Sequence, residues 1–536
     1  MNTPKHKFVR GVCIGLMGVA AAGSVWLASL PVAQASNQSS LALAGTATPK
    51  PKITATPKRD KASWRKDADK LFKAKDYRGA ANAYTQAIKL GDTTAGAYAG
   101  RGEAYIKLTR YEDAVDDLSL AIKANATDPH YFALRGRAYG KLGEREKAFA
   151  DFDAALDLDS SYASAHIERG DVYYDAKEYD DAITYYDKAV EADAESSTAY
   201  NNRGNAYSGK GDEDKAIEDY TKSLEIAPDD AVTLANRCWS YRVLGEYDKA
   251  QEDCDLAVEK DNKEYFAFES RARLYYAQSN YEAALDDLNT AIDLKPDEAT
   301  LYNLRGNSHF SLDKYEEAIE DYTSAIEYSP KNAVYYDNRG DTYNQIEAYD
   351  KAIVDLDAAV EINPEYALAY RHRGEAHLGN GDYDTALEDL DKSIELDPKD
   401  YDSFISRGDV YYDKKDYKTA IAEYGKAITL DPKESTGYGY RGATYYLRDE
   451  YDKALKDLNK AIELYPEWAY ALNQRGNVYY SKKDYKKAIV DYTAAIAIFP
   501  DRGLYYYNRS GAYKASGQKA KADADLAKSK ELGYEP

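Results

Sequence analysis

The sequence has few of the residues from which catalytic and metal sites are usually built. Its 536 residues include three cysteines and six histidines. The histidines are scattered along the chain at His6, His130, His166, His309, His372 and His377. The last two lack the i, i+4 spacing of a helical metal pair, and no phosphate loop, dinucleotide fingerprint or nucleophile elbow occurs. We therefore predict no enzyme, no cofactor and no metal site.

Positive charge is also in short supply. The chain has 71 lysine and arginine residues against 93 aspartate and glutamate residues, which gives a net charge of −22. This charge disfavours a nucleic-acid backbone or an anionic membrane surface as the partner. It favours protein partners with extended neutral or basic segments.

The first 60 residues differ in composition from the rest of the chain. An apolar run at residues 11–30 follows three basic residues and precedes the pair Ala33 and Ala35. This order predicts a secretory signal peptide, residues 1–35, and an exported protein that is periplasmic, secreted or at the cell surface. The run is also just long enough to span a bilayer, so an uncleaved membrane anchor is the alternative. Residues 36–60, rich in Ser, Thr, Ala, Pro and Lys, predict a disordered tether.

From residue 61 onward the sequence repeats every 34 residues. An arginine returns at each period: Arg101, Arg135, Arg169, Arg203, Arg237, Arg271, Arg305, Arg339, Arg373, Arg407, Arg441, Arg475 and Arg509. Glycine follows it in ten of these thirteen cases, and an alanine comes twelve residues after that small residue every time. With the glycine at position 8, the fourteen units start at residues 61, 95, 129, 163, 197, 231, 265, 299, 333, 367, 401, 435, 469 and 503. A fixed period of this length indicates a repeat array.

Each unit has the pattern of two amphipathic helices. Small or apolar residues fall at positions 4, 8 and 11, and again at 17, 20, 21, 24, 27 and 28, with the helical spacings of three and four. Turn residues such as Gly211 and Asp212 separate the two groups. Proline stands at position 32 in eight units. This predicts that the next helix starts with proline in its first turn.

The pattern resembles the tetratricopeptide repeat (TPR) family. The family has an aromatic residue at position 4, Tyr at 11, an aromatic residue or Leu at 24 and Ala at 27. In this sequence Tyr98, Tyr105, Tyr186 and Ala121 occupy these positions, in that order. The resemblance covers residues 61–536. It implies an all-α fold, a right-handed superhelical solenoid of antiparallel helix pairs whose first helices line a concave groove. In the last unit, Asp523 and Lys530 replace the apolar residues of positions 21 and 28, which predicts a polar cap.

The arginine at position 7 has a recurrent acidic companion. Position 23 is acidic in twelve of the thirteen arginine units: Asp117, Asp151, Asp219, Asp253, Asp287, Asp321, Asp355, Asp389, Glu423, Asp457, Asp491 and Asp525. The exception is the unit of Arg169, which has Tyr185 there. We hypothesise an Arg–carboxylate pair that ties the two helices of a unit. The alternative is an arginine packed by its stem with a solvated head group.

The resemblance implies a partner-binding groove at positions 2, 5, 6, 9, 12 and 13. The candidate groove residues are Asn201, Asn202, Asn205, Trp239, Arg242, Arg273, Asn303, Asn307, Asn338, Asp341, Asn473 and Asn477. An asparagine offers a donor and an acceptor to the backbone of an extended peptide. We expect that replacing Asn202, Asn338 and Asn477 together by Ala weakens partner binding and leaves helicity and melting unchanged. Asparagine at position 6 also resembles the asparagine ladder of some TPR scaffolds, interrupted here by Leu304, His372 and Ser406.

Cys238 and Cys254 are the only cysteines after residue 35. They take positions 8 and 24 of one unit, on facing sides of the predicted hairpin, and an exported protein meets an oxidising compartment. They are therefore candidates for a disulfide. Position 24 lies about one turn from the residue expected opposite position 8, so two free buried thiols are the alternative.

The sequence favours an exported protein–protein interaction scaffold that binds extended partner segments in its concave groove. The alternative is a cell-envelope structural or glycan-binding array, in which some of the 54 tyrosines serve as stacking platforms. An accessory subunit of an enzyme is a third interpretation.

Overall fold

The computed structural model describes residues 59–534, and within that range it contains helices and no strand. The helices are α1 Lys61–Lys73, α2 Tyr77–Lys89, α3 Ala95–Lys107, α4 Tyr111–Ala124, α5 Pro129–Lys141, α6 Arg145–Leu158, α7 Ala163–Asp175, α8 Tyr179–Ala192, α9 Ser197–Gly209, α10 Glu213–Ile226, α11 Ala231–Val243, α12 Tyr247–Lys260, α13 Tyr265–Ala277, α14 Tyr281–Leu294, α15 Ala299–Ser311, α16 Tyr315–Tyr328, α17 Ala333–Gln345, α18 Tyr349–Ile362, α19 Ala367–Asn380, α20 Tyr383–Leu396, α21 Tyr401–Asp413, α22 Tyr417–Leu430, α23 Ser435–Leu447, α24 Tyr451–Leu464, α25 Ala469–Ser481, α26 Tyr485–Ile498, α27 Gly503–Ala515 and α28 Lys519–Glu531. Each unit thus holds two helices, and each helix packs against the next.

The predicted signal peptide and almost all of the predicted tether lie outside the described residues. Asp60 belongs to the array, because its side chain caps α1 by accepting a hydrogen bond from the backbone N–H of Ser63. None of the helices between residues 59 and 534 is long and apolar enough to cross a membrane. In the last unit, Asp523 and Lys530 are exposed.

The turn inside each unit has the same backbone conformation fourteen times. Position 15 has a positive φ in every unit, between 58° at Thr109 and 83° at Gly381, and it is glycine in only five of them. The next residue donates its N–H to the carbonyl of position 11, as Asp212 does to Tyr207 at 2.9 Å. This bond closes the first helix through a left-handed residue. In nine units the repeat imposes that conformation on a residue that has a side chain.

The expectation that the position-32 prolines lie in the first turn of a helix is wrong. Helix α10 ends at Ile226 and α11 begins at Ala231, so Pro228 lies in the turn between them. A proline just beyond a helix end prevents the helix from continuing, since proline has no N–H to donate. Of the described helices, only α5 has a proline in its first turn, Pro129.

Close approach between positions 8 and 24 determines the packing inside a unit. A Cβ on Gly204 would lie 2.7 Å from Cε1 of Tyr220 and 3.2 Å from the carbonyl oxygen of Ala216. The glycine therefore makes room for the large ring opposite. In the unit that has Cys238 at position 8, the large residue of position 24 is replaced by Cys254.

Cys238 and Cys254 form a disulfide whose Cα atoms are 5.5 Å apart. This separation is inside the range of about 4.4–6.8 Å that disulfides span. Position 24 therefore faces position 8 directly, and the expectation that it lies about one turn away is wrong. Both residues are fully buried.

The hypothesised Arg–carboxylate pairs are confirmed, and most of the arginines also reach a third helix. Arg237 donates through Nε and Nη2 to the two oxygens of Asp253, both at 2.7 Å. Its Nη1 donates to Oγ1 of Thr221, at position 25 of the preceding unit, at 3.1 Å. We call this set of residues at positions 7, 23 and 25 the arginine spine. It ties the two helices of a unit together and ties that unit to the one before.

The arginine spine has two irregular members. Arg169, which lacks an acid at position 23, stacks 4.8 Å from the ring centroid of Tyr185 and binds Asp153 at 2.6 Å. Arg441 pairs with Asp457, but position 25 of the preceding unit is Gly425 and provides no acceptor side chain. The other eleven arginines make both contacts.

Candidate protein-binding groove

The candidate groove residues all lie on first helices of units, namely α9, α11, α13, α15, α17 and α25. First helices of successive units lie side by side, as α11 does with α13 and α17 with α19. Second helices of successive units make no comparable contact within residues 59–534. The array is thus more tightly packed on the side of the first helices, which places them on its inner, concave face.

Hydrogen bonds run along this face from one first helix to the next. Asn236 donates through Nδ2 to Oδ1 of Asn201 and of Asn205, both at 3.0 Å. Asn338 donates in the same way to Asn303 at 2.8 Å. In both cases position 6 of one unit bonds to positions 5 and 9 of the unit before. We call the side chains at these three positions the groove ladder.

The groove ladder continues at two of the three places where the sequence suggests an interruption. His372 contacts Oδ1 of Asp337 through Nδ1 at 2.8 Å. Ser406 donates to Oε1 of Glu375 at 2.8 Å. The expected interruption is wrong there, because a histidine or serine at position 6 also reaches the acceptor of the preceding unit. Leu304 has no polar side-chain atom, and the ladder stops at that residue.

Tyrosines at position 24, on the second helix of a unit, donate hydrogen bonds to ladder residues of the first helix. The hydroxyls of Tyr220, Tyr322 and Tyr492 donate to Oδ1 of Asn205, Asn307 and Asn477, each at 2.8 Å. Groove asparagines therefore take part in the packing of the units. Because their hydrogen bonds join neighbouring helices, we now expect replacement of these asparagines to lower stability as well as partner binding.

Two acids that were not among the predicted groove residues lie near the start of the groove. Glu168 is half-buried and contacts Nη1 of Arg137 at 3.2 Å, and burial raises the pKa of Glu168 to about 7 against the influence of Arg137. Burial also raises the pKa of Asp171, although Asp171 accepts from Asn202 at 3.0 Å. Acids at positions 6 and 9 are the sequence pattern that could have identified them.

A positive spot interrupts this polar and acidic lining. The guanidinium carbon of Arg242 lies 4.2 Å from the ring centroid of Trp239, and that of Arg273 lies 5.6 Å from it. Arg273 pairs with Glu269 at 2.7 Å, whereas Nε of Arg242 is buried without a hydrogen-bond partner. Burial, reinforced by Arg273, lowers the pKa of Arg242. The spot is suited to a carboxylate or an aromatic ring.

The remaining candidates also take part in the ladder or lie beside it. Asn473 is buried and accepts from Asn508 at 2.9 Å. Asp341 accepts from Nε2 of Gln345 at 3.2 Å and lies beside His372. Burial disfavours the charged form of this imidazole, but Asp337 and Asp341 outweigh it and raise the pKa of His372.

Family models match most of the array. Tetratricopeptide repeat models match residues 71–138, 129–162, 161–229, 269–333, 372–435, 435–467 and 469–502, and a TPR repeat model matches residues 340–381. The chain belongs to the tetratricopeptide repeat family. A search of curated protein sequences found no match to this TPR protein.

Three solved structures illustrate the similarity of the TPR array to known proteins. The APC/C hetero-tetramer Cut9–Hcn1 is 15% identical, with 88% of this chain and 94% of that chain covered and a TM-score of 0.50. Yeast Tom70 is 18% identical, with 82% and 99% covered and a TM-score of 0.42. A tetratricopeptide repeat protein from Parabacteroides merdae is 20% identical, with 46% and 98% covered and a TM-score of 0.41. The likeness concerns the fold, an all-α right-handed superhelical solenoid of antiparallel helix pairs.

Proposed function

We propose that this TPR protein is an exported scaffold that holds extended segments of a protein partner along the groove ladder. As a TPR array it is a protein-interaction scaffold. The finer proposal concerns where the partner lies, what its chemistry is and in which compartment the two meet.

The observation that carries the proposal is the groove ladder itself. It presents amide, imidazole and carboxylate groups on successive units, as at Asn338, His372 and Glu375. Such groups pair with backbone N–H and C=O groups of an extended chain and do not require one particular sequence. The acids Glu168 and Asp171 favour a basic partner side chain nearby, and the Arg242–Trp239 spot favours an acidic or aromatic one.

Two observations support export. The first is the order of basic residues, apolar run and small residues in 1–35, which is typical of a secretory signal. The second is the bridge between Cys238 and Cys254, because disulfides persist mainly in oxidising compartments. Both support the proposal that the partner is met outside the cytoplasm.

Crosslinking in the exported compartment, followed by identification of the captured protein, tests the scaffold. The double variant Trp239→Ala with Arg242→Ala should then weaken binding of that partner at least tenfold and leave helicity unchanged. Val354, which is 68% exposed on a second helix, provides the control substitution Val354→Ala. Equal affinities for both variants would move the site off the concave face. Binding to purified cell-wall polymer without any protein partner would favour the glycan-binding alternative.

Thiol titration tests the compartment independently of the partner. We expect no free thiol in denatured, unreduced protein that starts at Ser36. Two free thiols, or a chain that retains residues 1–35 in the cytoplasm, would contradict export and leave the groove proposal intact.

A further inference from the structure

A buried histidine and two carboxylates meet on the concave face between two neighbouring units. His372 and Glu375 belong to α19, and Asp341 belongs to α17 of the preceding unit. One ligand atom from each of the three lies within 4.8 Å of the other two. The proposed scaffold function does not need this cluster, because one ladder bond from His372 to Asp337 would suffice.

The tautomer of His372 is determined by its neighbour. Nδ1 lies 2.8 Å from Oδ1 of Asp337, which is fully buried, so Nδ1 carries a proton and donates it. The imidazole is itself only 6% exposed. Its Nε2 makes no hydrogen bond to any described residue, and Oδ1 of Asp341 is 4.0 Å away. In its neutral form the imidazole therefore keeps an unused lone pair on Nε2, the nitrogen that lies 4.0 Å from Asp341.

We propose that Asp341, His372 and Glu375 bind a divalent transition-metal ion of the Zn²⁺ class. Imidazole nitrogen together with carboxylate oxygen is a ligand set that Zn²⁺ takes, at about 2.0–2.2 Å from each atom. Tetrahedral bonds of this length place two ligand atoms about 3.3–3.6 Å apart. The side chains of the cluster therefore need to close by about 1 Å to hold the ion. Three protein ligands leave a position for water.

The groups around the ligands support the same assignment. Ligands of a metal are commonly held by outer hydrogen bonds, and all three are. Asp337 holds His372, Gln345 donates to Oδ1 of Asp341 at 3.2 Å, and Ser406 donates to Oε1 of Glu375 at 2.8 Å.

Arg371 is a cation beside the cluster, and it is shared. It donates to Oε1 of Glu375 at 3.0 Å and also forms an ion pair with Asp400 at 3.2 Å. One guanidinium shared in this way does not balance the carboxylates of Asp337, Asp341 and Glu375. A divalent ion would supply the missing positive charge and join the unit 333–366 to the unit 367–400.

Calorimetric titration of the metal-stripped full chain with ZnCl₂, in 1 mM CaCl₂ to occupy surface carboxylates, tests the proposal. We expect one Zn²⁺ per chain with a Kd in the micromolar range or below. His372→Gln and Glu375→Gln should each weaken that site at least tenfold. His377→Gln is the matched control, because His377 is on the same helix but lies near Asp382 and Asp389. It should bind like the unchanged chain.

Hydrogen exchange gives a second readout should a buried substitution disturb folding. Zn²⁺ should slow exchange in α17 and α19 of the unchanged chain and of His377→Gln. The same protection should be lost in Asp341→Asn, which changes a partly exposed residue. Absence of a stoichiometric site, calcium binding in its place, or equal protection in Asp341→Asn would overturn the proposal.

Discussion

The arginine spine and the groove ladder both join neighbouring units, yet one is uniform and the other is not. Eleven arginines make the same two contacts, to position 23 of their own unit and position 25 of the one before. In the ladder, position 6 is Asn338 in one unit, His372 in the next and Ser406 in the one after. The spine keeps its arginine and, with one exception, the acid of position 23, whereas position 25 of the spine and position 6 of the ladder change their chemistry from unit to unit.

This difference separates the framework from the surface that recognises a partner. A spine carboxylate such as Asp253 is buried and bound by two guanidinium N–H groups, so a change leaves an uncompensated charge. A ladder residue faces the groove and needs only one donor or acceptor at the right distance. Variation is thus tolerated in the ladder and at position 25, and it is nearly absent at positions 7 and 23, where the two helices of one unit are joined.

The largest expected effect comes from one arginine with two carboxylates. Arg271 binds Asp287, which is 9% exposed, and Asp255, which is 51% exposed. Asp287→Asn should cost about 3 kcal/mol because it removes the buried carboxylate and leaves the Arg271 guanidinium only the exposed Asp255. Asp255→Asn should cost less than about 1 kcal/mol. Hydrogen exchange of α13 and α14 in the full chain measures both, and similar losses would remove the distinction between framework and surface contacts.

Glu168→Gln tests whether the groove contains a carboxylate whose ionised form destabilises the fold, unlike the ion-paired carboxylates of the arginine spine. The raised pKa of Glu168 means that the folded chain holds this proton more tightly than the unfolded chain does. Stability should therefore fall as the pH rises from 4.5 to about 7. The glutamine variant should lack this fall and be more stable at pH 8 by about 1–2 kcal/mol.

Thermal melting at pH 4 and pH 8 checks this prediction. The two proteins should be equally stable at pH 4, where the carboxyl is protonated in both states. The exposed Glu191, changed to Gln, serves as the control and should behave alike at both values. A glutamine variant that is less stable at pH 8 would show that the ionised Glu168 is favourable.

Asn338→Ala should cost about 1 kcal/mol, since it removes the ladder bond to Asn303 that joins α17 to α15. Asn380→Ala removes a comparable but exposed hydrogen bond to Asp350. It should lower the free energy of unfolding by only about 0.3 kcal/mol. Denaturant melting of the full chain compares the two. A loss near zero for both would mean that the ladder serves recognition alone.

The smallest effect is expected where the spine lacks a link. Gly425→Asp would place a carboxylate at position 25 beside Arg441, as Asp391 stands beside Arg407. It should stabilise the array by about 0.5 kcal/mol, and 1 M salt should reduce the gain. Gly425→Ala adds helix propensity without a charge, so its gain should not depend on salt. An equal salt response would exclude the added pair.

Contacts inside a unit could be foreseen from the sequence. The pairing of Arg237 with Asp253 spans 16 residues within one helical hairpin, and the periodic pattern places the two on facing sides. The facing of Cys238 and Cys254 could be suggested, but the offset between the helices was misjudged by about a turn. The prolines at position 32 were misplaced because a capping residue before proline fits a helix start and a helix end equally well.

The sequence by itself determined the period, the two helices of each unit and the pairs within them, because these depend on spacings shorter than one unit. Only the tertiary structure decided which residues of neighbouring units meet. Arg237 reaches Thr221, and His372 meets Asp337 and approaches Asp341, because each unit is rotated and shifted against the last. That rotation comes from the packing of whole helix surfaces. The repeat pattern in the sequence would be the same for any angle between neighbouring units, so it does not reveal that angle.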